Sequence, residues 1–303
     1  MIRRAVQWLT LLGCNAWWPG FIEGRIYGGK LKSVCVPGLN CYSCPGAVAS
    51  CPLGSLQAVL GSWRYSFSFY VVGLMMAFGL LFGRFICGFL CPFGLLQELA
   101  HKLSSRLSFL RGKQAKQANQ TKNLRWRPIY VKYILGVVFV VALPLLATNS
   151  MGLGDPAFCK YICPAGTLTA GAPLLAANPS LRDAVGWLFV LKAGIAVATL
   201  AGCLAIYRFF CKYLCPLGAF YGLFNKVAVY RLRLEEGNCV HCGACSRVCK
   251  MAVDPSRTPN SPECIRCGDC VRACRFSALS AGFSDWRRTS ENGGSGVLRG
   301  KAP

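Results

Sequence analysis

Two histidines, His101 and His241, are all that the 303 residues provide, and Asp and Glu together number only 11. Neither histidine falls in a long apolar stretch, which excludes a haem b held between membrane helices. No Cys-x-x-Cys-His occurs for haem c, and no Gly-x-Gly-x-x-Gly or P-loop for a nucleotide. The apolar stretches hold no carboxylate, which argues against proton or ion pumping through this chain alone.

Against these absences stand 34 Lys and Arg, a formal net charge of +23, 54% hydrophobic residues and 20 cysteines. Four stretches are long and apolar enough to predict membrane spans: Ala5–Ile22, Phe67–Ile86, Ile129–Ala147 and Trp187–Tyr207. Arg3 and Arg4 ahead of the first could introduce a signal peptide. No small-x-small cleavage site follows, and Trp17-Trp18-Pro19 stands where one would be needed, so this stretch also reads as a span. Lys132 and Lys192 fall just inside their stretches, where snorkelling accounts for them. Between the second and third stretches lie Lys102, Arg106, Arg111, Lys113, Lys116, Lys122, Arg125 and Arg127. That bias places this loop and both termini on the cytoplasmic side of a prokaryotic inner membrane, in a multi-pass topology. The positive charge suits anionic lipid and an acidic cytoplasmic redox partner. Nucleic acid is the weaker fit, because the basic residues flank the apolar stretches.

The cysteines are patterned. Near the C-terminus the chain reads Cys239-x2-Cys242-x2-Cys245-x3-Cys249, then Cys264-x2-Cys267-x2-Cys270-x3-Cys274. This is the spacing of a bacterial two-cluster ferredoxin, in which the fourth ligand crosses to the other 4Fe–4S cluster. One set is then Cys239, Cys242, Cys245 and Cys274, and the other Cys264, Cys267, Cys270 and Cys249. Zinc also accepts paired Cys-x2-Cys motifs, but it leaves the third and fourth cysteines of each run unexplained. Lys250 and Arg275 stand where proline usually follows the fourth cysteine, and a cation there should raise the potential.

A second pattern divides the rest of the chain. Cys-Pro-x-Gly recurs at Cys51, Cys91, Cys163 and Cys215, and in three copies another cysteine lies four residues earlier: Cys87, Cys159 and Cys211. GRFICGFLCPFG and YRFFCKYLCPLG match along their length, so this part consists of two parallel copies of one unit. Cysteines four apart at a helix end share a face, and two such pairs make one four-thiol site. Cys87, Cys91, Cys211 and Cys215 form the inner set. The outer set takes Cys159 and Cys163, with Cys44 and Cys51 as the first choice for its other half and Cys35 and Cys41 as alternatives. A local set of Cys35, Cys41, Cys44 and Cys51 also fits the spacing. Disulfides compete on the outer side. Cys14 and Cys203 read as small buried apolar residues.

The four stretches, the repeated Cys-x3-Cys-Pro motifs and the doubled C-terminal run resemble the NapH-type membrane polyferredoxins, relatives of the membrane parts of NosR-type and CcoG-type proteins. The resemblance covers residues 1–283. It implies an integral membrane protein that relays single electrons between a cytoplasmic donor or the quinone pool and a redox partner. The rival expectation is a maturation factor that reduces a metal or thiols of another enzyme. The chain departs from the NapH pattern in carrying three Cys-x3-Cys-Pro motifs and the segment VCVPGLNCYSCPGAVASCPLG, and it lacks a flavin domain of the NosR type. The expected organisation is mainly α: a first membrane repeat over 1–122, a second over 123–230, an α+β two-cluster ferredoxin domain over 231–283 and a disordered tail over 284–303. The two repeats should form a four-helix transmembrane bundle. Two 4Fe–4S clusters are expected in the ferredoxin part and up to four in all, with no haem and no nucleotide.

Overall fold

The computed structural model describes residues 2–65, 67–110, 128–150, 152–183 and 185–283. The basic positions Arg111, Lys113, Lys116, Lys122, Arg125 and Arg127, and the tail expected over 284–303, lie outside the described residues.

The fold is mainly helical. Of the four predicted spans, only Trp187–Ala205 forms a helix of 19 residues, long and apolar enough to cross a membrane. Phe69–Phe82 and Val131–Leu146 are shorter apolar helices. The first stretch divides: a helix over Ile2–Cys14 ends, and a separate one begins at Pro19. A four-helix transmembrane bundle is therefore not what helix length alone delivers. At 1.5 Å per residue, the 14 residues of Phe69–Phe82 span about 21 Å, against a hydrocarbon core of about 30 Å. That helix stops because Gly83 turns left-handed (φ 52°) and the chain re-enters at Phe85–Phe89.

The Cys-Pro pattern is a helix-start device. Cys51, Cys163 and Cys215 are each N-cap residues in extended conformation, with proline at the first helical position. Proline forces its predecessor out of the α region and loses nothing by lacking an N–H in the first turn. The helices that follow are Pro52–Gly61, Pro92–Leu110, Pro164–Gly166 and Pro216–Phe224. The cysteines four residues earlier sit on one-turn helices: Cys87 on Phe85–Phe89, Cys159 on Phe158–Ile162 and Cys211 on Phe209–Tyr213.

The C-terminal part has its own small core of Leu232, Cys270 and Leu279. Strands Tyr230–Leu234 and Leu279–Phe283 pair antiparallel, Tyr230 opposite Phe283 and Leu234 opposite Leu279. Between them the two cysteine runs form matching loops. His241 and Arg266, two residues after the first cysteine of each run, are left-handed, as are Gly243 and Gly268, and Ala252 and Ser277. Each loop then closes on a short helix, Ala244–Val248 or Asp269–Ala273.

This unit is bolted to the helical part through Asn225, which is fully buried. Its Oδ1 accepts from the Arg84 amide at 2.9 Å, and its Nδ2 donates to the carbonyls of Ser261 and Cys264 at 2.8 Å each. Arg266, itself buried, reaches back to the carbonyls of Phe82 and Asn225. Gly88 lies so close that a Cβ there would stand 2.5 Å from the Ile265 carbonyl oxygen. Asn225→Leu removes three buried hydrogen bonds and leaves their partners unsatisfied, a cost of about 3 kcal/mol. We expect a lower Tm in detergent and faster proteolysis between Val227 and Val229; an unchanged Tm would show that the two parts are held together elsewhere.

Candidate metal centres

All twenty cysteines are free thiols. Among the described residues no three His, Cys, Asp or Glu side chains converge on a single-ion site; the thiols instead fall into groups, two of which line cavities.

Two groups lie in the C-terminal part. One cavity is lined by Cys249, Cys264, Cys267 and Cys270, with Met251, Val253 and Ile265 closing it. The other is lined by Cys239, Cys242, Cys245 and Cys274, with Leu234 and Phe276. The fourth cysteine of each run thus stands with the first three of the other. The left-handed residues turn backbone amides toward these thiols: Arg266 N donates to Cys264 Sγ at 3.4 Å. Burial is the largest single influence on the Cys274 thiol and opposes its ionisation. Amides from Phe276, Ala278, Leu279 and Ser277 outweigh it and bring the pKa below the ordinary thiol value. Cys264 is the reverse case, since burial pushes it up to about 11 despite the Arg266 amide.

The inner group of Cys87, Cys91, Cys211 and Cys215 is buried throughout. Burial is the first cause raising Cys91, to about 12, and the nearby Cys211 and Cys87 thiols add to it. Cys215 is raised by burial and then by Cys211, Cys87 and Cys91. At the two Cys-Pro motifs the thiol caps its own helix: Gly94 N donates to Cys91 Sγ and Gly218 N to Cys215 Sγ, each at 3.3 Å. The glycine also relieves crowding. A Cβ at Gly94 would lie 3.2 Å from the Cys87 carbonyl oxygen, and one at Gly218 3.2 Å from that of Cys211.

Two arginines cross between the repeats. Arg84, three residues before Cys87, donates to the Cys211 carbonyl at 2.9 Å. Arg208, three residues before Cys211, donates to the Cys87 carbonyl. Both are fully buried, and each belongs to a triad with one carboxylate. Glu98 joins Arg208 and Arg3; Glu263 joins Arg84 and Lys132. Lys132 is therefore not snorkelling. It is fully buried and ion-paired with a residue 131 positions away. Burial alone would raise Glu98, but Arg208 and Arg3 hold it below the usual carboxylate range. Glu263 is held down in the same way, by Arg84 and Lys132.

The outer thiols regroup. Cys159 lies within electrostatic range of Cys163, Cys51 and Cys41, Cys51 of Cys163 and Cys41, and Cys163 of Cys41. A Cβ at Gly166 would stand 3.6 Å from Cys41 Sγ, and one at Gly54 3.8 Å from Cys159 Sγ. Each motif glycine thus lies beside the thiol arriving from the other half. Cys44 turns the other way. Its amide bonds the Cys41 carbonyl at 3.2 Å, and its charged neighbours are Cys41 and Lys32. Cys35 pairs its backbone with Ser50 and lies against Ser55. Burial pushes Cys51 up to about 12 and Cys163 up to about 11. Lys192, like Lys132, has a structural neighbour, since its ammonium lies in electrostatic range of Cys41 and Cys163.

These groups suit 4Fe–4S binding. The donors are all thiols, and buried thiols resist ionisation until a metal displaces the proton. Around the inner group, four cations face two carboxylates, an excess of two positive charges that matches the roughly two negative charges of an oxidised four-thiolate cluster. Arg84 comes within side-chain hydrogen-bonding reach of Cys87, and its buried Nε has no other partner.

Comparison with known proteins agrees. The 4Fe-4S binding domain family matches residues 65–114, 133–172 and 184–235, which take in the inner thiols with Cys159 and Cys163. An uncharacterized protein of Methanocaldococcus jannaschii is 27% identical over 60% of this chain and 57% of its own length. Protein NirI of Paracoccus denitrificans is 32% identical over 66% of this chain and 27% of its own. The methylamine utilization ferredoxin-type protein MauN of Methylobacillus flagellatus is 27% identical over 82% of this chain and 74% of its own. The chain spans less than two thirds of the length of the first two. No solved structure matches. Together the matches support a protein of the 4Fe–4S ferredoxin type.

Glu98→Gln tests the inner charge balance. It strips the shared carboxylate from Arg3 and from fully buried Arg208, at a cost of about 3–5 kcal/mol. Because the folded-state pKa of Glu98 lies below its unfolded value, its stabilisation is complete at neutral pH and lost on acidification through that depressed pKa. Thermal unfolding of wild type and variant across pH 7 to 3 should therefore converge at the acid end. Parallel curves would discount the triad.

Proposed function

We propose that this chain is a membrane-integral electron-transfer protein of the NapH-like kind, built to hold four 4Fe–4S clusters in succession. The observation that supports this reading best is the sequence of thiol groups through the molecule. The Cys264 loop abuts the inner group, with Ile265 on Gly88 and Asn225 bonded to both Cys264 O and Arg84 N. Beyond the inner group stands Tyr221, fully buried, its hydroxyl donating to the Pro37 carbonyl at 3.0 Å. Tyr221 lies in electrostatic range of Cys87 and Cys91 of the inner group and of Cys35 and Cys51 from the outer cysteines. One side chain therefore bridges the space between inner and outer thiols, although the hydrocarbon core alone is about 30 Å thick. When bound, the clusters would supply one-electron storage at each stop. The protein's own residues hold them, exclude water and fix their order.

The ligand sets in this reading are Cys239, Cys242, Cys245 and Cys274; Cys249, Cys264, Cys267 and Cys270; Cys87, Cys91, Cys211 and Cys215; and Cys41, Cys51, Cys159 and Cys163. Cys41 replaces Cys44, because Cys41 is the thiol that faces the second repeat. Large apolar side chains stand exposed on all four helices assigned to the membrane: Leu9, Phe69, Val137 and Trp187 are 70%, 77%, 64% and 78% exposed. Such faces suit lipid, and the shorter helices can cross where the bilayer thins around them. We place the ferredoxin part on the cytoplasmic side, where Cys242, which is exposed, offers a redox partner its nearest approach. The rival reading, a factor that reduces a partner's metal or thiols, calls for accessible outer thiols. Of the two thiols that would do this work, Cys35 is buried and Cys41 only partly exposed.

The test is iron and acid-labile sulfide per chain on anaerobically purified protein in detergent, with EPR on reduction. About sixteen irons are expected, falling by about four in Cys41→Ser and not in Cys44→Ser. About eight irons in the wild type would sink the two membrane sites. A loss confined to Cys44→Ser would restore Cys44 as the ligand.

A further inference from the structure

The first repeat carries the same residue six positions after each of its Cys-Pro cysteines: Gln57 after Cys51 and Gln97 after Cys91. Both are buried, at 0% and 1% exposure. Each leaves its own motif and reaches a thiol of the second repeat. Gln97 Nε2 donates to Cys211 Sγ at 3.0 Å, and Gln57 Nε2 to Cys159 Sγ at 3.3 Å. The amide orientation is fixed by chemistry. The Cys211 and Phe158 backbone N–H groups can only donate, and they meet Gln97 Oε1 at 3.3 Å and Gln57 Oε1 at 2.9 Å. The NH2 ends must then face sulfur. In the second repeat the equivalent positions hold Thr169 and Tyr221, whose hydroxyls donate to the carbonyls of Ala165 and Pro37.

We infer that Gln57 and Gln97 are paired tuning residues, each setting the reduction potential of one membrane cluster through an N–H directed at one ligating sulfur. The inference rests on the four-cluster reading above. An N–H aimed at a ligating thiolate stabilises the negative charge added on reduction, so it raises the potential. Each membrane site receives one glutamine donor, in both cases from the first repeat to the second. The two potentials can therefore be adjusted separately without touching a ligand.

The experiment is an EPR-monitored redox titration of the full-length protein in detergent, wild type beside Gln97→Met, Gln57→Met and Gln97→Glu. Methionine keeps the length and removes the donor. Glutamate keeps the length and the acceptor for the Cys211 amide. Each Met variant should retain wild-type iron and shift one midpoint downward by about tenfold in the one-electron equilibrium, ~59 mV. The two should move different midpoints and leave the ferredoxin signals in place. Gln97→Glu should lower the same midpoint as Gln97→Met. Full iron content with unmoved midpoints overturns the inference. So does loss of iron in both Gln97 variants, which would make the glutamine a structural support. A wild-type count of about eight irons instead overturns the underlying reading, and it is measured before any variant.

Discussion

Two carboxylates, each shared by two cations, organise this molecule. Glu98 and Glu263 each hold one of the crossing arginines, Arg208 or Arg84. Guanidinium groups this deeply buried are costly unless every charge finds a partner. Here the arginines spend their remaining donors on the carbonyls of the cysteines in the opposite repeat. The same contacts therefore neutralise charge, join the repeats and fix the thiol backbone. Because Glu263 precedes Cys264 and Glu98 also binds Arg3 and Gln7, the triads tie the ferredoxin part and the first helix to one centre.

Around that centre the Cys-Pro-x-Gly unit repeats one physical solution. Proline starts the helix, the cysteine before it is pushed extended, and the third residue's amide turns back to the sulfur. Glycine at that third position makes room at the inner site for the other repeat's arginine, Arg208 beside Gly94 and Arg84 beside Gly218, and at the outer site it lies in contact range of the other half's thiol. Two half-sites facing each other through glycine gaps can approach closely without being covalently joined.

Much of this was readable from the chain. The ferredoxin spacing is local, because three thiols lie in one loop and left-handed residues recur at matching places. The duplication was visible as matching strings. Other features depended on distance. Nothing near Lys132 in sequence names Glu263 as its partner, so its burial looked like snorkelling. Cys41 and Cys44 are three residues apart, and the choice between them turns on which one faces Gly166. Hydropathy marked four apolar stretches but not where Gly83 and Pro19 interrupt them, so three became shorter helices. Gln57 and Gln97 could have been found from their common offset in CPLGSLQ and CPFGLLQ, a regularity hidden by attention to cysteine alone.

The Asn225 anchorage has a kinetic meaning. Many carrier domains ride on tethers and swing between donor and acceptor, so that their own motion limits throughput. Here the ferredoxin part is pinned by buried side-chain bonds at the face through which it would communicate. A domain fixed in this way acts as a stationary port. In the proposed relay, traffic through it would be governed by how often a redox partner finds the exposed Cys242 edge, and so by ionic strength and partner concentration.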